Sequence, residues 1–194
     1  MKKLLQILAL SLFLLNPSHA EDIREFELEG ISIGDSALDH FSKSEIIDAT
    51  KTYYPKSKKY YTIHIIVQSN NYDQISFGVK NNDDNYTILK ISGDKYYEKN
   101  PKLCLKQLEK VSKDFDNQFG TSNKIKYTQK YEALDDGNSY AEVVDYNFNN
   151  NSAIRLWCTF FTKDTLEKRD TFNGFTVSLD SNEWLTWLNN EAYW

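Results

Sequence analysis

The sequence predicts an α+β fold, a single domain in which an antiparallel sheet of two meander-like halves is covered on one face by helices. Two stretches of the chain, residues 60–91 and 125–179, alternate apolar and polar residues with period two between polar turns. A helical segment with one apolar stripe separates them. Strands that are grouped along the chain, rather than alternating with helices, are typical of an α+β arrangement.

The beginning of the chain has the pattern of an export signal. Two lysines are followed by an apolar run over residues 4–15 and then by small residues that end at Ala20. This pattern predicts a secretory signal peptide over residues 1–20 and a single domain over residues 21–194. The run is too short to span a bilayer. We therefore expect a periplasmic or secreted protein whose mature chain has no transmembrane segment.

The composition is acidic, with 23 Lys and Arg residues against 28 Asp and Glu residues and a formal net charge of −5. Residues 1–20 contain two of the lysines and no acid, so the mature chain is more negative still. An acidic surface argues against nucleic acid or anionic lipid as the main partner.

The first part of the mature chain predicts short elements. Residues 22–28 alternate loosely, which indicates a strand or an extended arm. Asp35 is a suitable N-cap for a helical turn over residues 36–41. Ser42-Lys43-Ser44-Glu45 has the spacing of a capping box, which predicts a helix that continues until Pro55 ends it.

Three strands and the longest helix follow. The pattern predicts strands over residues 60–67, 75–79 and 86–91, joined by polar turns. Asn100-Pro101 then predicts a helix start, and Gly120 predicts its end. The stripe that should face the sheet consists of Cys104, Leu108, Val111, Phe115 and Phe119.

The second half predicts four more strands and a final helix. The strands cover residues 125–131, 140–148, 154–161 and 172–179. Asp180 and Glu183 have capping-box spacing, which predicts a short helix carrying Trp184 and Trp187.

Cys104 and Cys158 are the only cysteines. An even number of cysteines in an oxidising compartment predicts one disulfide bond. Cys158 shares a strand face with Leu156 and Phe160, and that face points toward the predicted helix that carries Cys104. The pair lacks the close spacing of a redox centre and the extra ligands of a zinc site, so we interpret it as structural.

One short block suggests an enzyme. Gly34-Asp35-Ser36-Ala37 resembles the nucleophile block of GDSL-type hydrolases, and the resemblance implies that Ser36 would attack an ester. That family also has a late Asp-x-x-His block, whereas the mature histidines here are His40 and His64. The competing interpretation is that these residues form a turn and a helix cap. An esterase-like hydrolase using Ser36 is therefore the alternative hypothesis.

Two acidic turns, residues 83–85 and 135–138, contain the clustered carboxylates that calcium prefers. Neither has the spacing of a calcium loop, and the second has Leu134 and Val143 where ligands are required. Asn, Asp and Gly are also the residues that hairpin turns use. We predict no metal and no cofactor.

Residues 51–61 form a basic, aromatic stretch that connects the predicted helix to the first long strand. Tyrosine stacks on sugars or side chains, and lysine pairs with anions, so this stretch predicts a surface for an envelope protein or glycan. The competing interpretation is a solvated connection. Our leading hypothesis is a non-catalytic binding or interaction domain of the cell envelope. The candidate binding residues are Tyr53, Tyr54, Lys58, Lys59, Tyr60 and Tyr61.

Overall fold

The computed structural model describes residues 22–97, 100–121, 123–132, 138–169 and 171–194. The predicted signal peptide lies outside these residues, as do most of the acidic turn at 135–138 and the side chain of Phe119.

Within this part of the chain, the helices and strands follow one another as the sequence pattern predicts, with three additions. The helices are α1 (Lys43–Asp48), α2 (Pro101–Phe119), α3 (Lys163–Lys168) and α4 (Asn182–Asn190). The strands are β1 (Glu27–Leu28), β2 (Ile31–Ser32), β3 (Thr50–Tyr53), β4 (Tyr60–Ile66), β5 (Gln74–Lys80), β6 (Lys90–Tyr96), β7 (Lys124–Lys130), β8 (Tyr140–Asn147), β9 (Ala153–Phe160) and β10 (Gly174–Asp180). The additions are β2, β3 and α3.

The predicted α+β class is confirmed. Eight strands form one antiparallel sheet in the order β3-β4-β5-β6-β10-β9-β8-β7, and β1 pairs with β2 separately. Each half of the sheet is a meander that follows a helix along the chain. The last strands of the two meanders, β6 and β10, pair over seven residues at the centre of the sheet.

One face of the sheet is apolar and carries the main core. Helix α2 packs on this face, and its Cys104, Leu108, Val111 and Phe115 side chains are buried as predicted. Sγ of Cys104 bonds to Sγ of Cys158 on β9, with 5.9 Å between the Cα atoms, so the predicted disulfide is present. Helix α1 adds Ile46 to the same core.

The C-terminal helix covers one end of the opposite face. Trp184 and Trp187 of α4 pack with Tyr60 in a second small cluster. Gly78 of β5 lies under Trp184, and a Cβ atom there would come within 2.5 Å of the indole ring. Glycine at position 78 therefore leaves the space in which Trp184 of α4 packs on the sheet.

Two predicted elements have different bounds. The helix begins with the predicted capping box at Ser42, but it ends at Asp48 rather than at Pro55. Residues 50–53 instead form β3, which pairs with β4 at the edge of the sheet, and Thr50, Thr52 and Tyr53 are residue types that favour strands. The third strand is β6 rather than residues 86–91. Tyr86 has a φ of 50°, and residues 86–88 bond to the segment around Asp35.

The predicted caps at Asp35 and Asp180 are each wrong by one residue. Ser36 and Ser181 are the N-caps, and their hydroxyls accept the capping hydrogen bonds. Asp35 instead accepts from the backbone of Ser32 at 2.9 Å. Asp180 is still paired in β10. Residues 22–28 form a 3₁₀ helix, Ile23–Glu25, followed by β1.

Removing the disulfide should weaken the whole fold. The bond closes a loop across 54 residues. Its loss in a Cys104→Ala/Cys158→Ala variant should lower the free energy of unfolding by about 4 kcal/mol, because the unfolded chain gains freedom. Urea unfolding followed by circular dichroism measures this. Equal stability of the variant and the oxidised wild type, or alkylation of both thiols without reductant, would contradict the structural role.

Candidate functional site

The face of the sheet opposite α2 is lined with polar side chains, and we call it the polar face. Alternation along each strand places these residues there. One row of paired residues crosses six strands, from His64 through Ser76, Ser92, Ser178 and Arg155 to Asp145. The buried polar residues of this face are Thr62, Ser76, Ser92, Asp94, Asp145, Thr159, Thr176, Ser178 and Asp180.

A cleft of about 260 Å³ lies on the polar face, over strands from both meanders. Its floor is buried and consists of Ser76, Ser92, Asp94, Thr159 and Thr176. Its rim is partly exposed and consists of His64, Gln74, Lys90, Tyr131, Trp157, Phe161, Thr171 and Phe172. The cleft therefore combines a polar floor with an aromatic portion of the rim.

Asp94 is the acid in the floor, and only 6% of it is exposed. Its Oδ1 accepts a hydrogen bond from Oγ1 of Thr176 at 2.7 Å, and its Oδ2 accepts one from Nε2 of Gln74 at 3.1 Å. Burial raises the pKa of the Asp94 carboxyl, because it disfavours the charged form. The two hydrogen bonds fix the carboxyl in one orientation.

Further hydrogen bonds extend this arrangement across the floor. Nε2 of Gln74 also donates to Oγ of Ser76 at 3.1 Å, and Nδ1 of His64 lies 2.8 Å from the same Oγ. Nε2 of His64 lies 2.9 Å from Oγ1 of Thr52. The hydroxyl of Tyr96 donates to Oε1 of Gln74 at 3.3 Å. Connected side chains of this kind hold one another in position.

The aromatic residues of the rim lie at the other side of the cleft. Trp157 projects from β9, and the rings of Tyr131 and Phe161 are 5.3 Å apart. Phe172 contacts Tyr96 at 4.4 Å between ring centroids. A ligand in the cleft would therefore meet aromatic rings on one side and hydrogen-bonding groups on the other.

Two further groups lie beside the cleft on the polar face. The guanidinium of Arg155 donates two hydrogen bonds to Asp145, at 2.7 and 3.0 Å, and these bonds raise the pKa of Arg155. Asp180 is buried, and burial raises the pKa of its carboxyl. The hydroxyl of Ser178 lies between them and interacts with the Asp180 carboxyl.

The basic, aromatic stretch does not form one surface. Tyr60 and Tyr61 are adjacent strand residues, so they point to opposite faces, and both are buried. Tyr53 is 60% exposed and stacks on Tyr61 at 5.4 Å. Tyr54 packs among the rings of α4 and is half-buried, which leaves Tyr53 and the exposed lysines, Lys58 and Lys59, as the residues available to a partner.

Ser36 lies in the N-terminal segment, away from the cleft. Its hydroxyl donates to the backbone oxygen of Asn85 at 2.6 Å and accepts the capping bond from the backbone of Leu38. Nε2 of His40 lies 3.1 Å from Oδ2 of Asp35, so this histidine pairs with the acid rather than with the serine. The local structure is that of a cap.

In the described ranges, no group of three or more His, Cys, Asp or Glu side chains is arranged to hold a metal ion. No helix in those ranges is both long and apolar enough to cross a membrane. Comparison with known proteins finds no relative, since no family model, curated protein or solved structure matches the chain.

The cleft was not predicted from the sequence, although one signal for it is present. Strands β5, β6 and β10 carry Ser or Thr where a solvent-facing strand would carry long charged residues. Small polar residues on the second face of three neighbouring strands indicate a surface that is enclosed. Which strands are neighbours is known only from the fold.

The buried carboxyls should make stability depend on pH in an unusual direction. Burial raises the pKa values of Asp94 and Asp180 above the usual 3.8. Above about pH 4 the folded protein therefore holds more protons than the unfolded chain, and the free energy of unfolding falls as pH rises through the raised values. An Asp180→Asn variant should show a shallower fall, by at most about 1.4 kcal/mol per pH unit. Urea unfolding between about pH 4.5 and pH 7 measures the slope.

Asp116→Asn is a matched control for this test. Burial opposes ionisation of Asp116, but hydrogen bonds from Lys124 and Tyr146 outweigh it and lower the pKa of the carboxyl. Its contribution to stability is lost only below about pH 4, so Asp116→Asn should leave the slope above that pH unchanged. A wild-type slope in Asp180→Asn would contradict the prediction.

Proposed function

We propose that the protein is an exported, non-catalytic binding domain of the cell envelope, and that it holds a small polar ligand in the cleft of the polar face. The observation that carries this proposal is the cleft itself, in which a fixed, hydrogen-bonded floor faces aromatic rim residues. Convergent polar groups beside aromatic rings are typical of binding pockets. The signal-like pattern of residues 1–20 and the disulfide agree with export.

The cleft is small. Its volume of about 260 Å³ lies just below the range of about 300–1,000 Å³ that is common for ligand pockets. It is therefore suited to one small molecule, or to one unit of a polymer whose remainder lies outside. The floor sits on paired strands rather than on loops, so the site exists before the ligand arrives.

The geometry favours binding over catalysis. Ser76 and His64 approach one another as a nucleophile and a base would. However, Ser76 lies in the middle of β5, between β4 and β6, and sheet pairing uses the backbone amides around it. Those amides cannot form the oxyanion hole on which acyl transfer depends. Ser36, by contrast, lacks an available base, because Nε2 of His40 pairs with Oδ2 of Asp35 at 3.1 Å.

A panel of defined probes tests this function. Monosaccharides, disaccharides, amino acids, polyamines, nucleosides and short peptides are titrated into the protein, with binding measured by calorimetry. At least one class should bind the wild type. Trp157→Ala should weaken that binding about tenfold or more, because it removes the largest ring of the rim.

Trp194→Ala is the matched control, since Trp194 is 82% exposed at the C-terminus and lies outside the cleft. It should bind as the wild type does. Loss of binding in Trp194→Ala with retention in Trp157→Ala would move the site to the aromatic C-terminus. Absence of binding by every probe would overturn the proposal of a small polar ligand.

A further inference from the structure

Four chemically different side chains form one row across the cleft. Gln74, Asp94, Thr176 and Trp157 are successive Cα partners on β5, β6, β10 and β9. Neighbouring strands are about 4.8 Å apart, so the Cα atoms of Asp94 and Trp157 are separated by about 10 Å. Thr176 lies between them and is buried. That separation suits a single six-membered ring in contact with the indole and within hydrogen-bond distance of the carboxyl.

The polar end of this row has acceptor capacity to spare. A carboxylate can accept about four hydrogen bonds. Asp94 accepts two from the protein, one on each oxygen. The backbone of the floor is used in sheet pairing on both sides, since β6 and β10 are central strands. A ligand must therefore be recognised by side-chain hydroxyl, amide and carboxyl groups, which match a molecule with several hydroxyls.

The charged side chains of the cleft give no net preference for an ion. Lys90 and Asp94 both line it, and each lies two residues from Ser92 on the same face of β6. Their opposite charges act on a ligand in opposite senses, so the cleft is selective for neither a cation nor an anion. A neutral molecule with donors and acceptors binds without an ion pair and can present an apolar ring face to Trp157.

We propose that the cleft binds a neutral saccharide, with one sugar ring stacked on Trp157 and its hydroxyls held by Asp94 and Gln74. This assignment rests on the binding function proposed above and names its ligand class. The cleft has room for little more than one ring, so the ligand is a monosaccharide or one unit of a longer glycan.

Titration with four kinds of probe tests the assignment. Neutral sugars (glucose, N-acetylglucosamine and their disaccharides) are compared with spermidine, glucuronate and a tripeptide by saturation-transfer NMR and calorimetry. The neutral sugars should bind. Asp94→Ala and Gln74→Ala should each weaken sugar binding by about tenfold. Asp94 accepts from the ligand directly, whereas Gln74 accepts with its remaining lone pair and also holds the Asp94 carboxyl in place.

Asp94 is buried, so its variants need a folding control. Circular dichroism and the urea midpoint show whether a variant is folded. If Asp94→Ala is unfolded, the test uses Gln74→Ala, because Gln74 lies on the partly exposed rim. Trp194→Ala again serves as the variant outside the cleft.

The outcomes separate this assignment from the function on which it rests. One result would overturn the saccharide assignment and leave the binding function intact. In it, spermidine, glucuronate or the tripeptide binds to the wild type but not to Trp157→Ala, and no sugar binds. Sugar binding that is unchanged in both Asp94→Ala and Gln74→Ala would also overturn it. No binding by any probe would overturn both proposals together.

Discussion

The pairing of β6 with β10 joins the two meanders and decides what each face of the sheet contains. Oγ1 of Thr176 and Oδ1 of Asp94 are 2.7 Å apart although 82 residues separate them in the chain. The seven paired residues also align the apolar sides of both halves into one surface for α2. A shift by one residue would turn every side chain of one half to the other face. The core and the cleft thus depend on the same register.

The two faces have different roles in the energetics. The apolar face buries the main cluster beneath α1 and α2, and the disulfide fastens α2 to β9. Burial of apolar area there supplies most of the stability. The polar face buries hydroxyls and carboxyls, which cost free energy unless they are hydrogen-bonded. Because the main core lies on one face, the other face can hold a polar site beside the smaller cluster under α4.

The sequence predicts those features that depend on local pattern. Alternation over residues 60–67 and 75–79 predicts β4 and β5, and the stripe from Cys104 to Phe115 predicts α2, because each element buries one side. Short β3 was missed, since its only support is pairing with β4. The cleft was missed for the same reason. Gln74 and Trp157 share a site only because β6 and β10 bring four strands into one order.

The polar face retains features that a face serving only stability would lack. Asp94 and Asp180 are buried, and desolvation of their carboxyls costs free energy. Apolar residues at these positions would remove those costs, and β-branched residues would also suit the strands. Local departures from good packing are expected where a protein serves function. In this protein the buried carboxyls lie in or beside one cleft, whereas the opposite face is well packed. This difference is an argument that the protein acts through its polar face.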